Sequence, residues 1–147
     1  MSNPGPAITS SIHPSNLSTV QAERLLCGLK GVSVGAAADF KLPIVNSSTY
    51  SVQQIVVTNA QTPSTGASAD VHTVYFGLYT APGGASGNGT AIYTAAALSG
   101  VTANTVVDVL TPTTTASQTV QNLYVNISTA FVAGATVDVY VYGYDLS

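Results

Sequence analysis

The chain has 147 residues, of which 46% are hydrophobic and only 6% charged, three Lys+Arg against six Asp+Glu for a net charge of -3. That length suits one domain with one core, and an acidic balance without a basic cluster excludes duplex nucleic acid and a polybasic membrane surface as partners. High hydrophobicity with a charged share far below the ~25% of ordinary globular domains is the reverse of a disordered composition, and implies a surface partly covered by partners in use.

Residues 1–17 carry Pro4, Pro6 and Pro14 and no apolar period, so an extended arm is expected there. Neither a basic n-region nor an apolar h-region marks a secretory signal. Residues 18–30 hold the one helix candidate. Ser18 would cap it, Leu25, Leu26 and Leu29 stand at helical spacing, and Gly28 and Gly31 bound its end. A strand over the same stretch is the alternative. The expected division is an N-terminal arm with a short helix over 1–30 and a β domain over 31–147.

From Gly31 onward the sequence reads as strands and turns. Strands are predicted over 31–36, 39–45, 50–59, 72–80, 90–96, 104–110, 119–128 and 135–144, all rich in Val, Ile, Tyr and Thr. Turn chemistry separates them at Asn46-Ser47-Ser48, Thr62-Pro63-Ser64-Thr65-Gly66, Pro82-Gly83-Gly84 and Ala133-Gly134. Eight strands without intervening helices predict an all-β fold, a two-sheet antiparallel sandwich of jelly-roll type.

Three strands show alternation that assigns their faces. Val74, Phe76 and Leu78 oppose Tyr75 and Tyr79; Leu123, Val125 and Ile127 oppose Tyr124, Asn126 and Ser128. Val137, Val139 and Val141 oppose Asp138, Tyr140, Tyr142 and Tyr144. Side chains alternate along a strand, so the aliphatic sets should form the core and the tyrosines should face outward. Outer tyrosines commonly serve as cross-strand pairs. The cluster Tyr140, Tyr142 and Tyr144 is the candidate protein interface, because tyrosine buries area while keeping a polar handle.

Catalytic chemistry finds little support. His13 lies in the Pro-rich arm, a poor place for a rigid base, and His72 stands two residues after Asp70 in an expected solvated loop. One Asp-x-His pair is short of the three or four ligands a metal needs. Asp108 and Asp138 are expected as outward strand positions that discourage edge-to-edge pairing rather than as a carboxylate pair. The glycine-rich run 83–89 precedes a strand instead of opening a helix, which makes it a hairpin loop and not a phosphate loop. Cys27 is the single cysteine and is expected to be a small buried apolar residue. No enzyme, cofactor or metal is expected.

Several segments together resemble small structural proteins of tailed bacteriophages. They are Gln54-Ile55-Val56-Val57-Thr58-Asn59-Ala60, Phe76-Gly77-Leu78-Tyr79-Thr80-Ala81, Gly89-Thr90-Ala91-Ile92, Leu123-Tyr124-Val125-Asn126-Ile127-Ser128-Thr129-Ala130 and the closing stretch from Ala135 to Leu146. The resemblance covers the last two-thirds of the chain. It implies a virion protein of the decoration or cement kind, on the outer capsid surface, whose partners are the major capsid protein and further copies of itself as dimer or trimer. It supplies no catalytic residues. A tail, fibre or receptor-binding component and a carbohydrate-binding β-sandwich are the competing expectations.

Overall fold

The computed structural model describes residues 22–102 and 107–147. Eight strands carry the fold: β1 (Arg24–Ser33), β2 (Ala38–Pro43), β3 (Tyr50–Gln61), β4 (Tyr75–Tyr79), β5 (Ala91–Ala97), β6 (Val107–Leu110), β7 (Asn122–Thr129) and β8 (Thr136–Asp145). They form two four-stranded antiparallel sheets, ordered β1-β8-β3-β6 and β2-β7-β4-β5. Each strand of the first half pairs with its mirror image in the second: β1 with β8, β2 with β7, β3 with β6, β4 with β5. The chain thus folds as one long ribbon, doubled back between β4 and β5 and wrapped so that β8 also pairs with β3 and β7 with β4. That is the jelly roll expected from the sequence.

The alternation places the core. Val74, Phe76, Leu78, Leu123, Val125, Ile127, Val137, Val139 and Val141 all lie buried between the sheets. Ile55, Val57, Leu42 and Ile92 join them from the neighbouring strands, and Phe76 meets the ring of Tyr93 with centroids 6.2 Å apart. Tyr50 is fully buried at the start of β3, and its hydroxyl donates to the Val120 carbonyl at 2.7 Å, so its polar end is satisfied. Burial also raises the Tyr50 hydroxyl pKa. Cys27 is buried as expected.

The helix expected within 18–30 is corrected. Residues 24–30 belong to β1, which pairs along its length with β8, while residues 18–21 lie outside the described residues, as do the rest of the arm and His13. The first described strand therefore starts at Arg24, ahead of position 31. The strand expected over 31–36 is the end of β1. His72 falls in the turn ahead of β4, not in a strand, and residues 104–106 of the expected sixth strand lie outside the described residues. β1 resisted recognition because it is irregular. Its pairing with β8 shifts between Leu25 and Cys27 and again between Leu29 and Val32. Each irregularity breaks the two-residue period, so Leu26 and Cys27 are buried consecutively.

Candidate functional site

The outer faces of the two sheets differ in what covers them. On the second sheet the β4–β5 connection folds back over the strands. Gly83 and Gly84 both adopt positive φ, 102° and 58°, which lets this loop turn sharply into a short 3₁₀ segment. The Gly83 amide donates to Asp39 Oδ2 at 3.0 Å, and Asn126 Nδ2 donates to Asp39 Oδ1 at 2.8 Å. Gly84 is buried against the Asn126 side chain, with no room for a Cβ. The glycine-rich run expected as a plain hairpin loop is therefore a tethered flap. Tyr79, expected on the outer surface, is 2% exposed; its ring packs beside Gly77 and its hydroxyl accepts the Ala95 amide at 3.3 Å.

A cleft of about 480 Å³ remains between the flap and β7, lined in part by Asp39, Ser86, Asn126 and Ser128. One Asp39 oxygen accepts from the flap and the other from Asn126 of β7, and no aromatic ring lines the cleft among the described residues. Sugar recognition generally uses such a ring as a platform, so the carbohydrate expectation gains nothing from this cleft.

The first sheet has no such flap among the described residues. Its register places Leu25 and Gly28 of β1 opposite Tyr142 and Tyr140 of β8. Gln54 and Val56 of β3 flank the same two tyrosines from the other side, and Val109 of β6 follows Val56. The outer face thus carries apolar and tyrosine side chains across all four strands, with Gln54 and Ser51 of β3 as polar members. Leu25 is 48% exposed, Val109 51% and Val107 44%. Tyr144 ends the row opposite Ser51, and Tyr140 and Tyr142 are half-buried. The three candidate tyrosines share one face of a central strand, as the alternation required. The Tyr140 ring lies over Gly28, where an added Cβ would come within 2.9 Å of it. This is the aromatic cover of a strand glycine that holds the ring flat on the sheet.

Charges stay at the margin of this face. Arg24 bridges Asp145 at 3.1 Å at one end of the sheet, and its guanidinium also donates to the Asn46 carbonyl. Hydrogen bonds from Ser147 and Ser47, with Arg24 adding to them, hold the Asp145 carboxyl down from 3.8 to about 2. Asp138 accepts from the Gly31 amide at 2.8 Å and from Asn59 Nδ2 at 3.1 Å. It ties the irregularities of β1 and β3 to the strand between them. This corrects the expectation of an edge-blocking role, since β8 is not an edge.

Asp108 and Asp138 do not form a pair. Asp108 is opposite Val57, a core residue, whereas Asp138 is opposite Thr58 on the outer side. The two carboxylates leave opposite faces of one sheet, and Asp108 is spent accepting the Gly100 amide at 3.1 Å. Asp70 and His72 contact each other through Oδ1 and Nδ1 on the surface, and that hydrogen bond lowers the Asp70 pKa. Among the described residues no group of three or more His, Cys, Asp and Glu could hold a metal ion, and no helix is long and apolar enough to cross a membrane.

At the β1 end of the face a groove of about 380 Å³ opens between β1 and the β2–β3 connection. Leu25, Leu26, Gly28, Val45 and Tyr140 line it, with Lys30 at its rim. Val45 is 55% exposed and its amide donates to the Leu26 carbonyl at 3.0 Å. Sequence reasoning missed this groove, because it joins residues twenty positions apart across an edge whose strand was not recognised.

Comparison with known protein families and with curated proteins finds no match to this chain.

Proposed function

We propose that this chain is a non-enzymatic structural protein that decorates and stabilises a symmetric protein shell, of the kind found on the outer capsid surface of tailed bacteriophages, by bridging major capsid protein subunits. The observation that carries the proposal is the outer face of the first sheet, centred on Tyr140 and Tyr142, where Leu25, Val107 and Val109 stand exposed among the described residues. Among the described residues, five of the eight exposed large hydrophobic side chains, Leu25, Val45, Val107, Val109 and Tyr144, lie on or beside it. Aromatic residues with few charges are the composition of interface centres.

The size of the face fits a contact that works in multiple copies. Four strands span about 19 Å and the stretch from Asp138 to Tyr144 about 20 Å, which gives roughly 400 Å² in projection. A stable isolated complex buries about 800 Å² per partner. Contacts of this size are weak singly and become effective when a lattice presents many of them. A protein that binds only the assembled shell stabilises that shell by mass action.

The test is co-sedimentation of the purified protein with empty expanded capsid shells that lack it. Saturation at a fixed ratio to the shell protein is the expected result. Absence of binding, or only a handful of copies per particle, would refute the shell reading and transfer the function to a tail or vertex component.

A further inference from the structure

The groove beside β1 and the open edge of that strand form one continuous surface, and the chain order puts residues 1–21 immediately before it. β1 is the outermost strand of its sheet. Of its outward backbone groups, the Leu26 carbonyl is taken by Val45, and among the described residues β1 pairs with no strand other than β8. An unpaired edge beside an apolar groove is a template for strand addition: the edge supplies backbone bonds and the groove receives alternate side chains.

Residues 1–21 precede this edge directly. All nine charged residues of the chain lie in the rest of the sequence, so this segment carries none, while Ile8, Ile12, Leu17 and Val20 supply apolar side chains. Its composition matches a groove whose single charge, Lys30, sits at the rim. Pro14 lacks an N–H and is compatible with an added outermost strand, which pairs on one side only.

We infer that residues 8–20 of one copy add to the β1 edge of a neighbouring copy, placing apolar side chains in the groove lined by Leu25, Val45 and Tyr140. Turn chemistry decides between the neighbour and the segment's own strand. Pairing on its own β1 requires a tight reversal within Ser18-Thr19-Val20-Gln21-Ala22-Glu23, which contains no Gly, Pro, Asn or Asp. Hairpin loops depend on those residues for their positive φ values, so reversal there is strained and exchange between copies avoids it. The exchange adds contact beyond the small sheet face. It goes beyond the shell-binding proposal and does not depend on it.

Two full-length variants test it by sedimentation equilibrium. Val45→Lys blocks the groove at a position 55% exposed, where folding tolerates the change. Ile8→Asp/Ile12→Asp/Leu17→Asp spoils the segment and leaves the groove intact. Each variant alone is expected to self-associate at least tenfold more weakly than the parent chain. Mixed in equal amounts they are expected to form a one-to-one complex, because one supplies a segment and the other a groove. Hydrogen exchange of the β1 amides should slow on mixing. Undiminished association of either variant, which would indicate packing of one sheet face on another, overturns the inference. So does a monomeric parent chain with β1 already protected, which would place the segment on its own strand. Shell co-sedimentation is scored separately, so loss of exchange with retained shell binding refutes this inference alone.

Discussion

Replacing Tyr140, Tyr142 and Tyr144 together by Ser separates the two duties of β8. The opposite side of the same strand carries Val137, Val139 and Val141, each fully buried and untouched by the change. What folding loses is cross-strand pairing on the outer face: Tyr142 with Leu25 and Gln54, Tyr140 with Val56 and over Gly28, Tyr144 with Ser51. Such pairs contribute about 0.2–1 kcal/mol each, so the triple variant should be less stable by about 1–3 kcal/mol. For a domain of this length that lowers Tm by about 3–10 °C, readable by circular dichroism. Binding should fall far more. Aromatic anchors at the centre of a contact contribute about 2 kcal/mol or more each without adding fully, so shell affinity should drop at least about a hundredfold. Unchanged shell occupancy in a variant that melts within the stated range would refute the assignment of this face. Collapse of the melt by more than about 15 °C would mean that the rings hold the sheet together and are not available for a partner.

Other expectations rest on single groups. Tyr50→Phe leaves the part-buried Val120 carbonyl without its 2.7 Å donor, which should cost about 0.5–1.5 kcal/mol in denaturant unfolding; no measurable change would contradict that bond. Asp145 titrates lower in the folded chain than in the unfolded one, so the folded state binds fewer protons between pH 3.8 and about 2. Its stabilising contribution is therefore complete above that window and is lost as pH falls through it. An NMR titration should show its midpoint near 2, and Ser147→Ala should move the midpoint upward. Burial pushes the Cys27 thiol up to about 12, which leaves a thiolate fraction of about 10⁻⁴ at pH 8. Alkylation should therefore be slow in the folded protein and rapid in urea, and rapid modification without denaturant would contradict the packing around β1.

The sandwich was legible because several strands keep a two-residue period over most of their length. β7 and β8 alternate without interruption, and their aliphatic members are all buried. β1 was opaque for the opposite reason: with two irregularities in ten residues, Leu25, Leu26 and Leu29 imitate a helical stripe. The candidate tyrosines were found because they share a face of a regular strand. What surrounds them was not, since neither the register against Leu25 and Val56 nor the groove at Val45 leaves a local mark. Tyr79 looked equivalent to Tyr140 along its strand. The Ala95 amide, 16 residues away on the neighbouring strand, meets the Tyr79 hydroxyl and marks it as the covered ring, just as Asp39 reaches the Gly83 amide from 44 residues away. Contacts at that separation have no period to read.

The position of β8 also sets a timetable for synthesis. It stands between β1 and β3, yet it is the last of the eight strands to leave the ribosome. Until then β1 lacks its ladder and β3 lacks one of its two, so the first sheet has no interior. Non-local pairing of this kind makes folding slow and leaves strand edges open to neighbouring chains. Nascent copies made close together on one message are thus exposed to one another until β8 emerges, before the first sheet of any of them can close.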